Sequence, residues 1–162
     1  MKDREPLFIP CATLAAIEMI NQVCPDVAGK RVTICGKSNI VGLPMALHLI
    51  KLNATVSLCH SLTDDIHDYL SKADIFISAI GKPRYFKGEW LKKDCIVIDI
   101  GINEQFIEHQ DCTRERKIVG DVDFESALEV CKHITPVPGG VGPVTIAMLM
   151  NNLLIAWKRQ NS

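Results

Sequence analysis

Residues able to do chemistry gather at three places in this chain, each where an apolar run gives way to small and polar residues. The first is Gly36-Lys-Ser-Asn-Ile-Val-Gly42, which follows the β-branched run 32–35 and precedes an apolar stretch at 43–50. Strand, glycine turn and helix start is the geometry that holds a pyrophosphate. The turn's N–H groups and the positive helix end face the anion, and glycine lets the backbone come close. The spacing is G-x-S-x-x-x-G, with Ser38 and Val41 where the common dinucleotide fingerprint has glycine and Gly42 one residue late. On this stretch alone, nucleotide binding and an ordinary strand-to-helix turn of an α/β protein both fit.

The second place is the end of the run 55–59, which continues as His60-Ser61. In a nicotinamide-binding fold this strand end faces the adenine ribose. A carboxylate there favours NAD, whereas basic or hydroxyl groups tolerate a 2′-phosphate. No acid stands here, and Lys37 in the glycine turn supplies a nearby cation. Two readings stand: an NADP phosphate cradle, or a solvated Lys37 beside a turn that Ser61 starts. His60 reads as a packed or partly exposed histidine rather than a ligand. Asp99 lies inside the apolar run 96–100 and needs a hydrogen-bond partner if buried; it reads as a structural acid ahead of a catalytic one. The third place is 134–145, with three prolines and three glycines between Pro136 and Thr145. Such a loop fixes a backbone that neither helix nor strand accepts, and loops of this kind often shape binding sites.

The elements that must position these groups follow from periodicity. A helix is expected from Thr13, with Leu14, Ile17, Ile20 and Cys24 as its stripe, stopped by 25–29. Strands are expected at 31–35, 55–59, 75–80, 96–100 and 118–122. Between them the spacing predicts helices to about 52, over 63–71 with Asp64 and Asp65 at its positive end, and from an Asp123 cap to about 132. Asn53 makes a return turn, Gly81-Lys-Pro83 follows the third strand, and 88–91 forms a helical turn in which Trp90 packs. The polar segment 104–117 reads as a surface excursion. A long helix over 144–159 closes the chain with Ile146, Leu149, Met150, Leu153 and Ala156 on one face. Strands alternating with helices indicate an α/β fold: a Rossmann-like, doubly wound, mostly parallel sheet with helices on both faces. Residues 1–10 read as a tail or linker end, and 11–162 as one domain.

Composition narrows the class. The chain has 162 residues, a net charge of −1, 48% hydrophobic and 23% charged residues, an ordinary globular profile without the basic bias of a nucleic-acid binder. No apolar run approaches the ~20 residues of a membrane span, so no membrane partner is expected. The start, Met-Lys-Asp-Arg-Glu-Pro, matches neither a secretory signal nor a transit peptide. Seven scattered cysteines without a C-x-x-C pair point to a reducing, cytoplasmic setting and no metal site.

Five stretches in order resemble the C-terminal NAD(P)-binding domain of the bifunctional methylenetetrahydrofolate dehydrogenase/methenyltetrahydrofolate cyclohydrolase family. They are the 36–45 turn and helix start, 53–56 with Cys59-His-Ser61, Asp99-Ile-Gly-Ile-Asn103, Gly120-Asp-Val-Asp123, and Thr135-Pro-Val-Pro-Gly-Gly-Val-Gly-Pro143. The resemblance covers roughly 9–158. It implies an oxidoreductase and hydrolase of one-carbon tetrahydrofolate metabolism that uses NADP, with NAD the other candidate. It assigns Gly36, Lys37 and Ser38 to the cofactor phosphates, Ser61 to the 2′-phosphate and Ile102 to cofactor contact. It assigns Pro138, Gly139, Gly140, Val141 and Gly142 to the folate side. Members commonly carry arginine where Lys37 stands; lysine keeps the charge and loses the bidentate fork. Ala12-Thr13 replaces the family's usual Thr-Pro pair after the cysteine.

The family's catalytic lysine and tyrosine, spaced Y-x-x-x-K, lie in an N-terminal domain. Here the residue four after Tyr69 is Ala73, and four after Tyr85 is Glu89. The expectation is a cofactor-binding domain that is inactive by itself, completed by an N-terminal domain or by a homodimer partner. The alternative is a non-catalytic NADP-binding or interaction module that keeps the fold.

Overall fold

A computed structural model describes residues 8–108 and 114–161, so most of the expected N-terminal tail lies outside the described residues. They contain seven strands and five α-helices, with a 3-10 turn at Gly88–Trp90. The strands are β1 (Arg31–Cys35), β2 (Thr55–Cys59), β3 (Ile75–Ser78), β4 (Ile96–Asp99), β5 (Asn103–Glu108), β6 (Arg114–Val119) and β7 (His133–Ile134). The helices are α1 (Cys11–Val23), α2 (Gly42–Lys51), α3 (Ile66–Leu70), α4 (Phe124–Leu128) and α5 (Val141–Gln160).

Five strands form one all-parallel sheet in the order β2-β1-β3-β4-β7. A parallel sheet must be covered on both faces, and the period-2 alternation of its strands supplies two apolar surfaces. Val32, Ile34, Ile75, Ile77, Ile96 and Ile98 pack under α1 and α2 with Ala16, Ile20, Met45 and Leu49. Cys35, Phe76 and Val97 point the other way, toward Leu70, Phe86, Leu91 and Ala127. The expected doubly wound architecture is present. Because β1 lies between β2 and β3, the chain leaves it in both directions, which opens a crevice beyond the carboxyl ends of β1 and β3.

Several elements differ from the sequence reading. β3 ends at Ser78 rather than 80, because the Ile80 N–H donates to the Asp121 carboxylate at 2.7 Å instead of to a neighbouring strand. α3 is a five-residue helix preceded by Asp65 in the left-handed region (φ 47°), with no side-chain cap bond. α4 stops at Leu128, where the Val130 and Cys131 N–H groups fold back onto Ala127 and the chain joins the sheet through Lys132 and Cys95. Asp123 does not cap α4 by its side chain; its carboxylate takes Lys87 Nζ at 2.8 Å. The described parts of the segment read as a polar excursion, 104–108 and 114–117, belong to the antiparallel ribbon β5–β6, with Arg116 paired across it to Glu104. Opposite charges paired across an antiparallel ribbon stabilise it modestly.

α5 begins at Val141, so Val141 and Gly142 belong to its first turn and not to the loop, and Pro143 sits where a missing N–H costs nothing. It is also long and apolar enough to cross a membrane by length and composition, against the expectation that no run approaches that length. Val141, Val144 and Met148 join the core beside α1, and the Asn152 amide donates to the Ile9 carbonyl at 3.1 Å. The stripe Ile146, Leu149, Met150 and Leu153 faces outward, with Ile146 65% and Leu153 61% exposed.

Candidate functional site

The turn after β1 is shaped by contacts that leave no room for side chains. Gly36 has φ +115°, and a Cβ there would lie 2.2 Å from the Ala79 carbonyl oxygen at the end of β3. A Cβ on Gly42 would lie 1.7 Å from the Gly36 carbonyl oxygen. The β1 turn, the β3 end and the first turn of α2 therefore touch backbone to backbone. The Gly36 N–H donates to the Cys59 carbonyl at 2.9 Å and ties the turn to β2. Ser38 stiffens the rest: its carbonyl accepts from Leu43 N–H at 3.0 Å, and its hydroxyl accepts from Val41 N–H at 3.1 Å.

A pocket of about 390 Å³ opens beside this turn, and Gly36, Lys37, Ser38 and Ser61 all line it. These residues are 25 positions apart at the extremes, and the register Cys35↔Cys59 brings the two turns side by side. No carboxylate is among the lining residues. His60 lines the pocket from within its own turn: its N–H donates to Thr63 Oγ1 at 2.9 Å and its Nδ1 accepts from Leu62 N–H at 3.2 Å. The Cys35 thiol hydrogen-bonds to the free Cys59 thiol; that bond, with burial, pushes Cys35 far above the ordinary thiol range. The cradle that glycine keeps open and the acid-free, lysine-bearing rim fit a dinucleotide carrying a 2′-phosphate.

A second cleft of about 520 Å³ lies under the loop before α5. Pro138, Gly139, Gly140, Val141 and Gly142 line it, and so does Ile102. Ile102 thus shares this cleft with the proline–glycine loop, while the other four residues assigned to the cofactor line the first pocket. Gly139 has φ +107°, and a Cβ on Gly140 would meet the Pro136 carbonyl at 2.5 Å. The only titratable side chain lining this cleft, among the described residues, is Asp99.

Two buried carboxylates hold both clefts, and only one of them was legible in advance. Asp99 accepts from the N–H groups of Gly101 (2.9 Å), Asp121 (3.1 Å) and Val122 (2.8 Å), while its own N–H donates to Thr135 Oγ1 at 2.8 Å. Burial pushes its carboxyl up to about 6, and the N–H groups of Val122 and Asp121 oppose that rise. It is a structural acid, as its place in an apolar run suggested. Asp121, fully buried, accepts five bonds: Ser78 Oγ (3.0 Å), Asn103 Nδ2 (2.8 Å), and the N–H groups of Ile80 (2.7 Å), Gly81 (3.2 Å) and Lys82 (2.9 Å). It fixes the turn after β3, which forms one wall of the first pocket. The signal was an acid between Val119 and Val122, a position where an ionisable group is buried only if fully partnered.

The chain matches known proteins along nearly all of its length. The family described as tetrahydrofolate dehydrogenase/cyclohydrolase, NAD(P)-binding domain, matches residues 10–161. "Bifunctional protein FolD" of Caldicellulosiruptor saccharolyticus is 46% identical over 98% of this chain and 54% of its own length. "Bifunctional protein FolD 4, chloroplastic" of Arabidopsis thaliana is 46% identical over 98% of this chain and 44% of its own. The crystal structure of the Trypanosoma brucei methylenetetrahydrofolate dehydrogenase-cyclohydrolase, in complex with NADP cofactor and inhibitor, superposes with a TM-score of 0.88 at 39% identity. It covers 99% of this chain and 54% of that one. The chain spans about half the length of these relatives and belongs to the tetrahydrofolate dehydrogenase/cyclohydrolase NAD(P)-binding domain family.

Proposed function

We propose that this chain is the cofactor half of a methylenetetrahydrofolate dehydrogenase/methenyltetrahydrofolate cyclohydrolase: it binds NADP ahead of NAD and supplies one wall of the folate cleft. The observation that carries the reading is the first pocket, which Lys37 and Ser61 both line at the sheet's switch point and no carboxylate lines. The N–H groups of the Gly36 turn and the start of α2 receive the pyrophosphate. Lys37 and Ser61 take the 2′-phosphate. Ile102 and the loop Pro138 to Gly140, with Val141 and Gly142 at the helix start, flank the place where nicotinamide and folate meet. NADP held there would supply a hydride acceptor for the methylene carbon of the folate; these residues would position the reactants and keep water from the nicotinamide end.

Proton transfer in the hydrolytic step needs a group that this cleft lacks. Asp99 is occupied by three N–H donors, and neither Lys82 nor Lys87 lines the cleft. Lys87 is paired to Asp123. With no Y-x-x-x-K pair in the sequence, the catalytic lysine and tyrosine come from a second domain. The outward apolar stripe of α5 supports docking of that domain. The free cysteines support a reducing compartment, the cytosol among them.

A spectrophotometric assay of the purified chain, alone and mixed with a separately expressed N-terminal domain of a relative, tests this. No turnover by the chain alone and turnover in the mixture is the expected pattern. Robust turnover by the chain alone would overturn it. A chain that binds NADP but stays inert with every added domain would favour the non-catalytic module.

A further inference from the structure

We propose that Lys82 is a second specificity-determining cation for the adenosine 2′-phosphate, an inference that rests on the first pocket being the NADP site. Each of the three turns around that pocket offers one group to an anion: Lys37 after β1, Ser61 after β2 and Lys82 after β3. A phosphate monoester carries a charge of about −1.5 to −2 at neutral pH, so a single lysine leaves part of it unmatched.

Lys82 is held for this task from two sides. Its N–H donates to Asp121 Oδ1 at 2.9 Å, and the same carboxylate clamps the N–H groups of Ile80 and Gly81 before it. Its ammonium lies 5.1 Å from the centroid of the Tyr85 ring, which also lines the pocket. That ring is itself fixed edge-on by Phe86 at 5.0 Å and Trp90 at 5.7 Å. An aromatic face orients a cation without neutralising it. Lys87 and Lys92 are paired with Asp123 and Asp74, whereas Lys82 has no carboxylate partner among the described residues. The arrangement keeps a full positive charge on a pre-positioned side chain at the rim of an acid-free pocket. The competing account is a solvated lysine resting on a tyrosine.

Calorimetric titration of the full chain with NADP and with NAD, for wild type, Lys82→Gln and Lys82→Arg at one fixed ionic strength, separates the accounts. Lys82→Gln should weaken NADP binding by roughly ten- to a hundredfold and leave NAD within about twofold, since only NADP carries the extra anion. Lys82→Arg should keep most of the NADP affinity. An unchanged NADP affinity in Lys82→Gln overturns the proposal in favour of the solvated lysine. Parallel loss of both cofactors overturns it in favour of a structural role, with urea midpoints recording any loss of fold. Wild type that binds neither cofactor overturns the parent reading as well, before any variant is made.

Discussion

The pocket beside Gly36 takes its walls from three turns that follow three different strands, and its rim is cationic. The cleft under Ile102 takes most of its wall from one continuous stretch, 136–143, the loop and the first turn of α5, and its polar side chains are Thr145 and a carboxylate already spoken for. In the first, shape is set by backbone meeting backbone, as at Gly36 against Ala79 and Gly42 against Gly36. In the second, the loop is anchored where the Asp99 N–H donates to Thr135 Oγ1; Gly140 packs against the Pro136 carbonyl, but a Cβ on Gly139 or Gly142 would meet open space. Close backbone packing tolerates no added atom, whereas a loop restrained at its ends absorbs some strain. The two clefts should therefore fail differently when altered, although both depend on the Asp99–Asp121 network between them.

The largest effect is expected at Gly36. Gly36→Ala places a methyl 2.2 Å from a carbonyl oxygen in a backbone region that L-residues resist, and the obstacle is backbone rather than a flexible side chain. We expect a loss of more than about 3 kcal/mol in urea unfolding, with no measurable NADP binding. A variant that keeps its midpoint would break the claim of an unyielding turn. Asp121→Asn comes next. An amide offers one acceptor where the carboxylate serves five donors, so N–H groups of the turn after β3 are left unmet, at about 2–4 kcal/mol. Both clefts should weaken together, and loss confined to one would show that the network does not couple them.

Gly139→Val sharpens the contrast. Its φ of +107° disfavours a β-branched residue, but no atom lies within 4 Å of the added Cβ. A cost of about 1–3 kcal/mol is expected, with NADP affinity close to wild type. NADP binding lost in proportion to the loop would remove the assignment of that loop to the folate side. The smallest effect concerns pH. Asp99 is raised by burial from 3.8 to about 6, so the native state keeps this proton longer than the unfolded chain. Its contribution to stability therefore grows as pH falls from 7 through 6 toward 4. His48 works oppositely, its pKa lowered by burial and then by Lys51. In a His48→Gln background, urea unfolding should show about 1 kcal/mol more stability at pH 5 than at pH 7.5. A decrease over that interval would contradict a raised Asp99.

Much of this architecture is legible from residues alone because the parallel strands are short, β-branched and ended by glycine or turn residues. The bounds of β1 and β2 follow directly from such runs. What escaped was set by distant partners. The Asp94 N–H and the Cys95 carbonyl bind Val130 and Lys132 and end the α4 region early, which no local propensity reports. The ribbon β5–β6 is made by backbone pairing between strands of largely polar sequence, which carry no apolar alternation to mark them. The outward stripe of α5 looks like a core face in sequence, and only its packing on α1 shows which side is inward. Ile102 was assigned to cofactor contact by resemblance, and spacing alone does not report that it lines the second cleft and not the pocket beside Gly36.

The central claim is that the first pocket holds a dinucleotide by its 2′-phosphate as well as its pyrophosphate. Calorimetric titration of the unaltered chain with NADP and NAD, at one temperature and ionic strength, addresses it most directly. The account predicts saturable binding of NADP at least about tenfold tighter than NAD, the scale of one charge-assisted contact. Equal affinities, or tighter binding of NAD, would contradict it.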